Sequence, residues 1–165
     1  MNSQQSVLDH LYIQNTVTKL YWAFDAHRLD ILREEVFASN ILVDYTALFG
    51  GDPNHRGREE LIGIWRSLMD KIEASQHIIT GILPHIEESP TSAGFQDPTR
   101  VSANVTAYLR KKSSDGRVLE SRNGGRLELE VTKETDSQTM NPWRIAKMKA
   151  IPVWDEGGKE FWQAQ

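Results

Sequence analysis

Five histidines, His10, His27, His55, His77 and His85, and no cysteine set limits on the chemistry open to this chain. Imidazole is the side chain whose proton affinity lies nearest neutrality, so a His beside a carboxylate can take a proton and hand it back. Without thiols there is no cysteine nucleophile, no Cys-ligated zinc and no redox relay. Nor does the spacing favour a metal. His77 and His85 share one strand parity, but eight extended residues hold them about 27 Å apart. His27 with Asp25 and Asp30 fits neither an H-E-x-x-H helix nor a two-His-one-carboxylate set, so no metal is expected. The chain has no G-x-S-x-G elbow, P-loop or G-x-G-x-x-G stretch, and Gly50-Gly51 and Gly124-Gly125 read as turns or bulges. General acid–base work is one chemistry these residue types allow. Read singly, Asp25 is as much a helix-end turn residue as a working acid, and His77 as much a strand residue bonded to a neighbour. Tyr45 keeps the apolar parity of its strand, so core and functional roles both fit it. His10, His27 and His55 read as surface residues.

Such groups need elements to hold them. Ser6 followed by Asp9 resembles a helix N-terminal box, and Ile13, Val17, Leu20, Tyr21 and Phe24 recur at helical spacing, which predicts a first helix over 7–28. Asp30 is placed to cap a second, shorter helix ending at Phe37. A strand is predicted over 40–46, with Ile41, Val43 and Tyr45 on one face and Asp44 on the other. Turn chemistry marks Gly50 to Asn54 as a loop, and Leu61, Trp65, Leu68, Met69 and Ile72 form the stripe of a third helix. From Ser75 the period becomes alternating. Strands are expected over 76–86, 101–111, 117–132 and 143–153, antiparallel where short turns join them, with polar loops over 88–99 and 133–142. Val101, Ala103, Val105, Ala107 and Leu109 present an apolar face that the upstream helices can cover, and a bent sheet under helices leaves room for a ligand. The expected class is therefore α+β: three N-terminal helices packed on a curved, mostly antiparallel sheet around one pocket.

The 165 residues suit a single domain spanning 1–165, with an ordinary balance of 39% apolar and 25% charged residues. A net charge of −4 argues against a nucleic-acid partner, whose phosphates most of this surface would repel. The one basic cluster, Arg110 to Lys112, reads as a solvated strand end before a hairpin turn at Ser113–Gly116. The polar start and the lack of an apolar run of about 18 residues argue against a leader or a membrane span, so the cytoplasm is the default expectation. Of the large apolar groups, Trp22, Trp65, Met69, Trp154, Phe161 and Trp162, most are assigned to core. The tail is the exception, since Phe161 and Trp162 could instead fold across the pocket mouth.

Four stretches carry a resemblance: Tyr21-Trp22-Ala23-Phe24-Asp25, Val43-Asp44-Tyr45, Arg56-Gly57-Arg58-Glu59-Glu60-Leu61, and Gln76-His77-Ile78-Ile79-Thr80-Gly81. With the closing strand at Trp143–Lys149, they resemble the SnoaL-like branch of the nuclear transport factor 2-like superfold, which includes polyketide cyclases and has scytalone dehydratase as a relative. The resemblance implies a cone-shaped fold. It also implies that Asp25 and His77 meet in the pocket as general acid and base, with Tyr45 positioning a substrate oxygen. Tyr21, Phe24, Trp65, Asn104, Asn123 and Met148 are the expected substrate contacts. Phe24 stands where the dehydratase has a tyrosine, and no His between Val101 and Lys112 matches that enzyme's second pocket His. The expectation is a cofactor-free dehydratase, double-bond isomerase or cyclase acting on a small apolar metabolite such as a polyketide or terpenoid, working as a homodimer. The alternative is a ligand-binding or dimerising module without chemistry, which the superfold also hosts.

Overall fold

The computed structural model describes residues 3–85, 97–135 and 139–163. Helix α1, Ser3–Asp25, begins four residues earlier than predicted, and Ser6 and Asp9 do not cap it. Asp9 is instead buried within the fold, where its carboxylate accepts from Trp143 Nε1 at 3.1 Å and Lys133 Nζ at 3.0 Å. Ile13, Val17, Leu20 and Phe24 form the helix's buried stripe, while Trp22, on the opposite side, is exposed and not core as expected. The second helix is only a turn, α2 (Leu29–Ile31), continued by a π-helical turn over Leu32–Val36. Asp30 lies inside that turn and not at its cap, and its carboxylate accepts from the Arg28 guanidinium.

Strand β1 spans Phe37–Asp44, so it starts where the second helix was expected to end. Val36 and Phe37 are both fully buried, and this apolar pair anchors the switch from π turn to strand. A short helix α3, Thr46–Phe49, and a four-residue edge strand β2, Asn54–Gly57, occupy what reads in the sequence as strand end and loop. Helix α4, Arg58–Met69, carries the expected stripe of Leu61, Trp65 and Met69, and all three are buried. The sheet half follows: β3 (Ala74–Pro84), β4 (Thr99–Lys112), β5 (Val118–Lys133) and β6 (Trp143–Glu156), closed by a short helix α5, Gly158–Gln163. Much of the two predicted loops, and Ile86 of the predicted 76–86 strand, lies outside the described residues. The Ser113–Gly116 turn is as expected: Gly116 takes φ +83° and donates to the Ser113 carbonyl at 2.9 Å.

The six strands run in the order β2-β1-β6-β5-β4-β3, every pair antiparallel except the parallel β1–β6 pair. Alternation holds along β4, where Val101, Ala103, Ala107 and Leu109 are buried beneath the helices and Asn104 and Thr106 face outward. One expectation of parity fails. In β3 the register advances three residues, Thr80 to Leu83, while β4 advances two, Asn104 to Ser102, so an extra residue bulges out beside Gly81 at φ +59°. The bulge inverts the alternation, and His85 emerges on the face opposite His77, bonded through Nε2 to Ser102 Oγ at 2.8 Å. No helix among the described residues is long and apolar enough to cross a membrane.

Candidate active site

The site begins with how α1 stops. His27 adopts the left-handed conformation at φ +54°, its N–H donates to the Phe24 carbonyl at 3.0 Å, and the Arg28 N–H donates to the Ala23 carbonyl at 2.8 Å. This paired closure is a Schellman motif, and it makes Asp25 the last helical residue. A carboxylate at that pole meets unsatisfied carbonyls and needs a compensating donor.

Strand β3 supplies it. Asp25 Oδ2 accepts the His77 backbone N–H at 2.6 Å and Oδ1 lies 2.7 Å from His77 Nδ1. Burial works against the charge on Asp25, but the bonds and charge of His77 outweigh it and hold the carboxyl below its ordinary range. An ionised Asp25 can only accept, so Nδ1 carries a proton, and whenever the ring is neutral its lone pair lies on Nε2. Among the described residues Nε2 has no hydrogen-bond partner, and His77 borders the cavity. The ring is fixed from two sides: it stacks on Tyr21 at 4.3 Å with planes 4° apart, and Phe24 meets it edge-on at 5.4 Å. Trp65 locks Phe24 in turn, again edge-on, at 5.4 Å.

The Tyr21 and Tyr45 phenols face each other in the same hollow. Burial pushes Tyr21 up to about 12, against the pull of a hydrogen bond with Tyr45. Burial likewise pushes Tyr45 well above its ordinary value. Both therefore stay protonated, with Tyr45 donating to Tyr21 in the bond between them. The cavity has a volume of about 620 Å³ and largely apolar walls, including Leu68, Ile72, Val105, Leu109 and Leu127. Phe49 of α3 and Trp162 of α5 meet edge-on at 5.8 Å on its lining.

The SnoaL-like domain family matches residues 5–149. The chain belongs to the SnoaL-like family. No curated protein matches it. Solved structures resemble it throughout. The Kfla4162 protein from Kribbella flavida is 16% identical over 96% of this chain and 97% of its own, with a TM-score of 0.73. A protein of Novosphingobium aromaticivorans provisionally described as a scytalone dehydratase is 13% identical, over 94% and 91%, with a TM-score of 0.71. A hexachlorocyclohexane dehydrochlorinase (LinA, type 2) is 13% identical, over 92% of each chain, with a TM-score of 0.64. At these identities the likeness establishes the nuclear transport factor 2-like fold, with its helices over a curved sheet.

Within this SnoaL-like fold Tyr21, Phe24, Tyr45, Trp65, His77 and Asn123 all border the cavity, and Asp25 stands behind His77. Two expected contacts lie elsewhere. Asn104 is exposed on the outer sheet face, because it alternates with the inward Val105. Met148 of β6 is 1% exposed in the core, paired with Val43 of the neighbouring β1, and does not line this cavity. The tail is split: Phe161 is buried in the core, whereas Trp162 lines the cavity. Sequence reasoning passed over Ser75, although it shares the inward parity of His77 and sits two residues away. It also passed over Phe49, whose short helix leaves no periodic signal.

Proposed function

We propose that this SnoaL-like protein is a lyase-type enzyme, a cofactor-free dehydratase, double-bond isomerase or cyclase acting on a small apolar metabolite such as a polyketide or terpenoid. One observation carries the reading: Asp25 and His77 are bonded to each other while Nε2 stays open beside an apolar cavity. A ligand-binding scaffold has no need of an oriented, unpartnered imidazole nitrogen. In the proposed step Nε2 takes a proton from carbon next to a carbonyl, and the C–H electron pair moves into the carbonyl oxygen, giving an enolate. The Tyr45 and Tyr21 hydroxyls donate to that oxygen, and their raised proton affinities keep them donors as charge develops. Asp25 holds the ring tautomer and offsets the imidazolium charge. The enolate pair then expels a β-oxygen, which leaves with the proton from His77, or it takes that proton back at another carbon. Elimination follows in the first case and isomerisation in the second.

The test needs no natural substrate. β-Tetralone, a small apolar ketone with exchangeable α-protons, is incubated with the protein in deuterated water and followed by NMR. Wild-type protein is expected to speed exchange, and His77→Gln and Asp25→Asn to lower that rate by about 10²-fold or more while remaining folded. Equal exchange in wild type and His77→Gln would refute the reading. We further propose that the protein works in the cytoplasm as a homodimer paired through the outer sheet face; a sedimentation mass equal to one chain would remove the dimer.

A further inference from the structure

Among the described residues, one buried side-chain polar atom lacks a hydrogen-bond partner, and it lies beside the proposed proton carrier: Ser75 Oγ. Native interiors pair nearly all such groups, so an unpaired hydroxyl calls for an explanation. Ser75 is the second residue of β3 and lies opposite Leu109, and His77 follows opposite Ala107, so both side chains project from the inner face of the strand. Between them runs the backbone whose His77 N–H is already bonded to Asp25. Each Asp25 oxygen accepts one His77 donor, and a carboxylate oxygen can accept two. The carboxylate thus has spare acceptor capacity next to a hydroxyl that makes no well-formed hydrogen bond at rest.

We propose that Ser75 is a positioning residue that acts through Asp25: its hydroxyl turns onto the carboxylate when His77 becomes imidazolium. The inference builds on the proton-transfer reading above. Its physical content concerns where the proton rests. Once His77 holds a substrate proton, Asp25 competes with the ring for the Nδ1 proton. A third donor on Asp25 weakens the carboxylate as a base, so the proton stays on the imidazole and can be returned to the product. Two groups besides Ser75 act on Asp25 in this geometry: His77, which bonds it, and Tyr21, whose phenol is held up in part by the carboxylate charge. Ser75 Oγ already stands close enough to Asp25 for a side-chain hydrogen bond to lower the carboxyl's proton affinity, although that contact is too poorly formed to satisfy the hydroxyl at rest.

Ser75→Ala separates this role from a merely structural one, because removing an unsatisfied buried hydroxyl leaves stability unchanged or raises it. The expected result is an Asp25 carboxyl that titrates at higher pH, read from its carbon resonance, with β-tetralone exchange lowered about tenfold. Ser75→Thr, which keeps the hydroxyl in a residue suited to a strand, should restore both. An Asp25 titration identical in wild type and Ser75→Ala overturns the inference. The titration is read without substrate, so a shifted Asp25 in a protein that never exchanges β-tetralone would uphold Ser75 and sink only the proton-transfer reading.

Discussion

Helix α1 carries a carboxylate near each end, Asp9 buried and Asp25 half-buried, and the two are handled in opposite ways. Asp9, 1% exposed, is saturated: Gln5, Lys133 and Trp143 all donate to it. Around it the polar groups close into a network, with Thr16 donating to the Trp143 carbonyl at 3.1 Å and the buried Arg144 guanidinium to the carbonyls of Asn141 and Trp143. Asp25, sixteen residues on, takes two well-formed bonds, both from His77, and among the described residues the neighbourhood leaves valences open at His77 Nε2 and Ser75 Oγ. A buried charge with every partner in place holds a fold together, whereas one whose partner keeps a free atom beside a cavity is equipped for chemistry.

Breaking each end should break a different property. The largest effect is expected from His77→Gln, which removes the free nitrogen: exchange falls by about 10²-fold or more while the denaturation midpoint barely moves. Asp9→Ala should do the reverse, costing about 2–4 kcal/mol in urea unfolding by stranding the Trp143 N–H and Lys133, with exchange per folded molecule unchanged. If Asp9→Ala instead disables exchange, the two ends are not independent.

A subtler effect concerns alkaline stability. An unfolded Tyr21 ionises near its ordinary 10.0, but the folded phenol keeps its proton to about 12. Between those values the folded chain binds more protons than the unfolded one. The stability Tyr21 confers is therefore complete below the lower value and drains away as pH climbs to the upper. Tyr21→Phe should flatten the fall of stability with pH across that window, measured by urea midpoints. The smallest effect is expected at the mouth: Trp162→Ala should raise the KM for β-tetralone exchange a few-fold, worth about 1 kcal/mol of apolar contact, and leave kcat alone. Cutting the tail away after Asp155, which the sequence alone would recommend for testing a lid, is a poorer probe because it also removes the buried Phe161 from the core.

The helix-then-sheet order was legible because Leu20 and Phe24 keep a helical period and Val101 to Leu109 keep a strand period, and the folded chain honours both. The meeting of Asp25 and His77 was not legible in that way. Fifty-two positions separate them, and only the motifs that resemble the SnoaL-like family bring them together. What the chain concealed were local irregularities. The π turn at Leu32–Val36, the short α3 and the extra residue beside Gly81 each depend on neighbours that the local sequence does not display.

That extra residue sorts the end of β3 into indoor and outdoor side chains. Pro84 is buried while Leu83 and His85 are exposed, the reverse of what an unbroken strand would give. Excising a single residue there would turn the strand's last stretch inside out, bringing an imidazole indoors and evicting a proline. The length of the chain at this point therefore decides which of these side chains face the core.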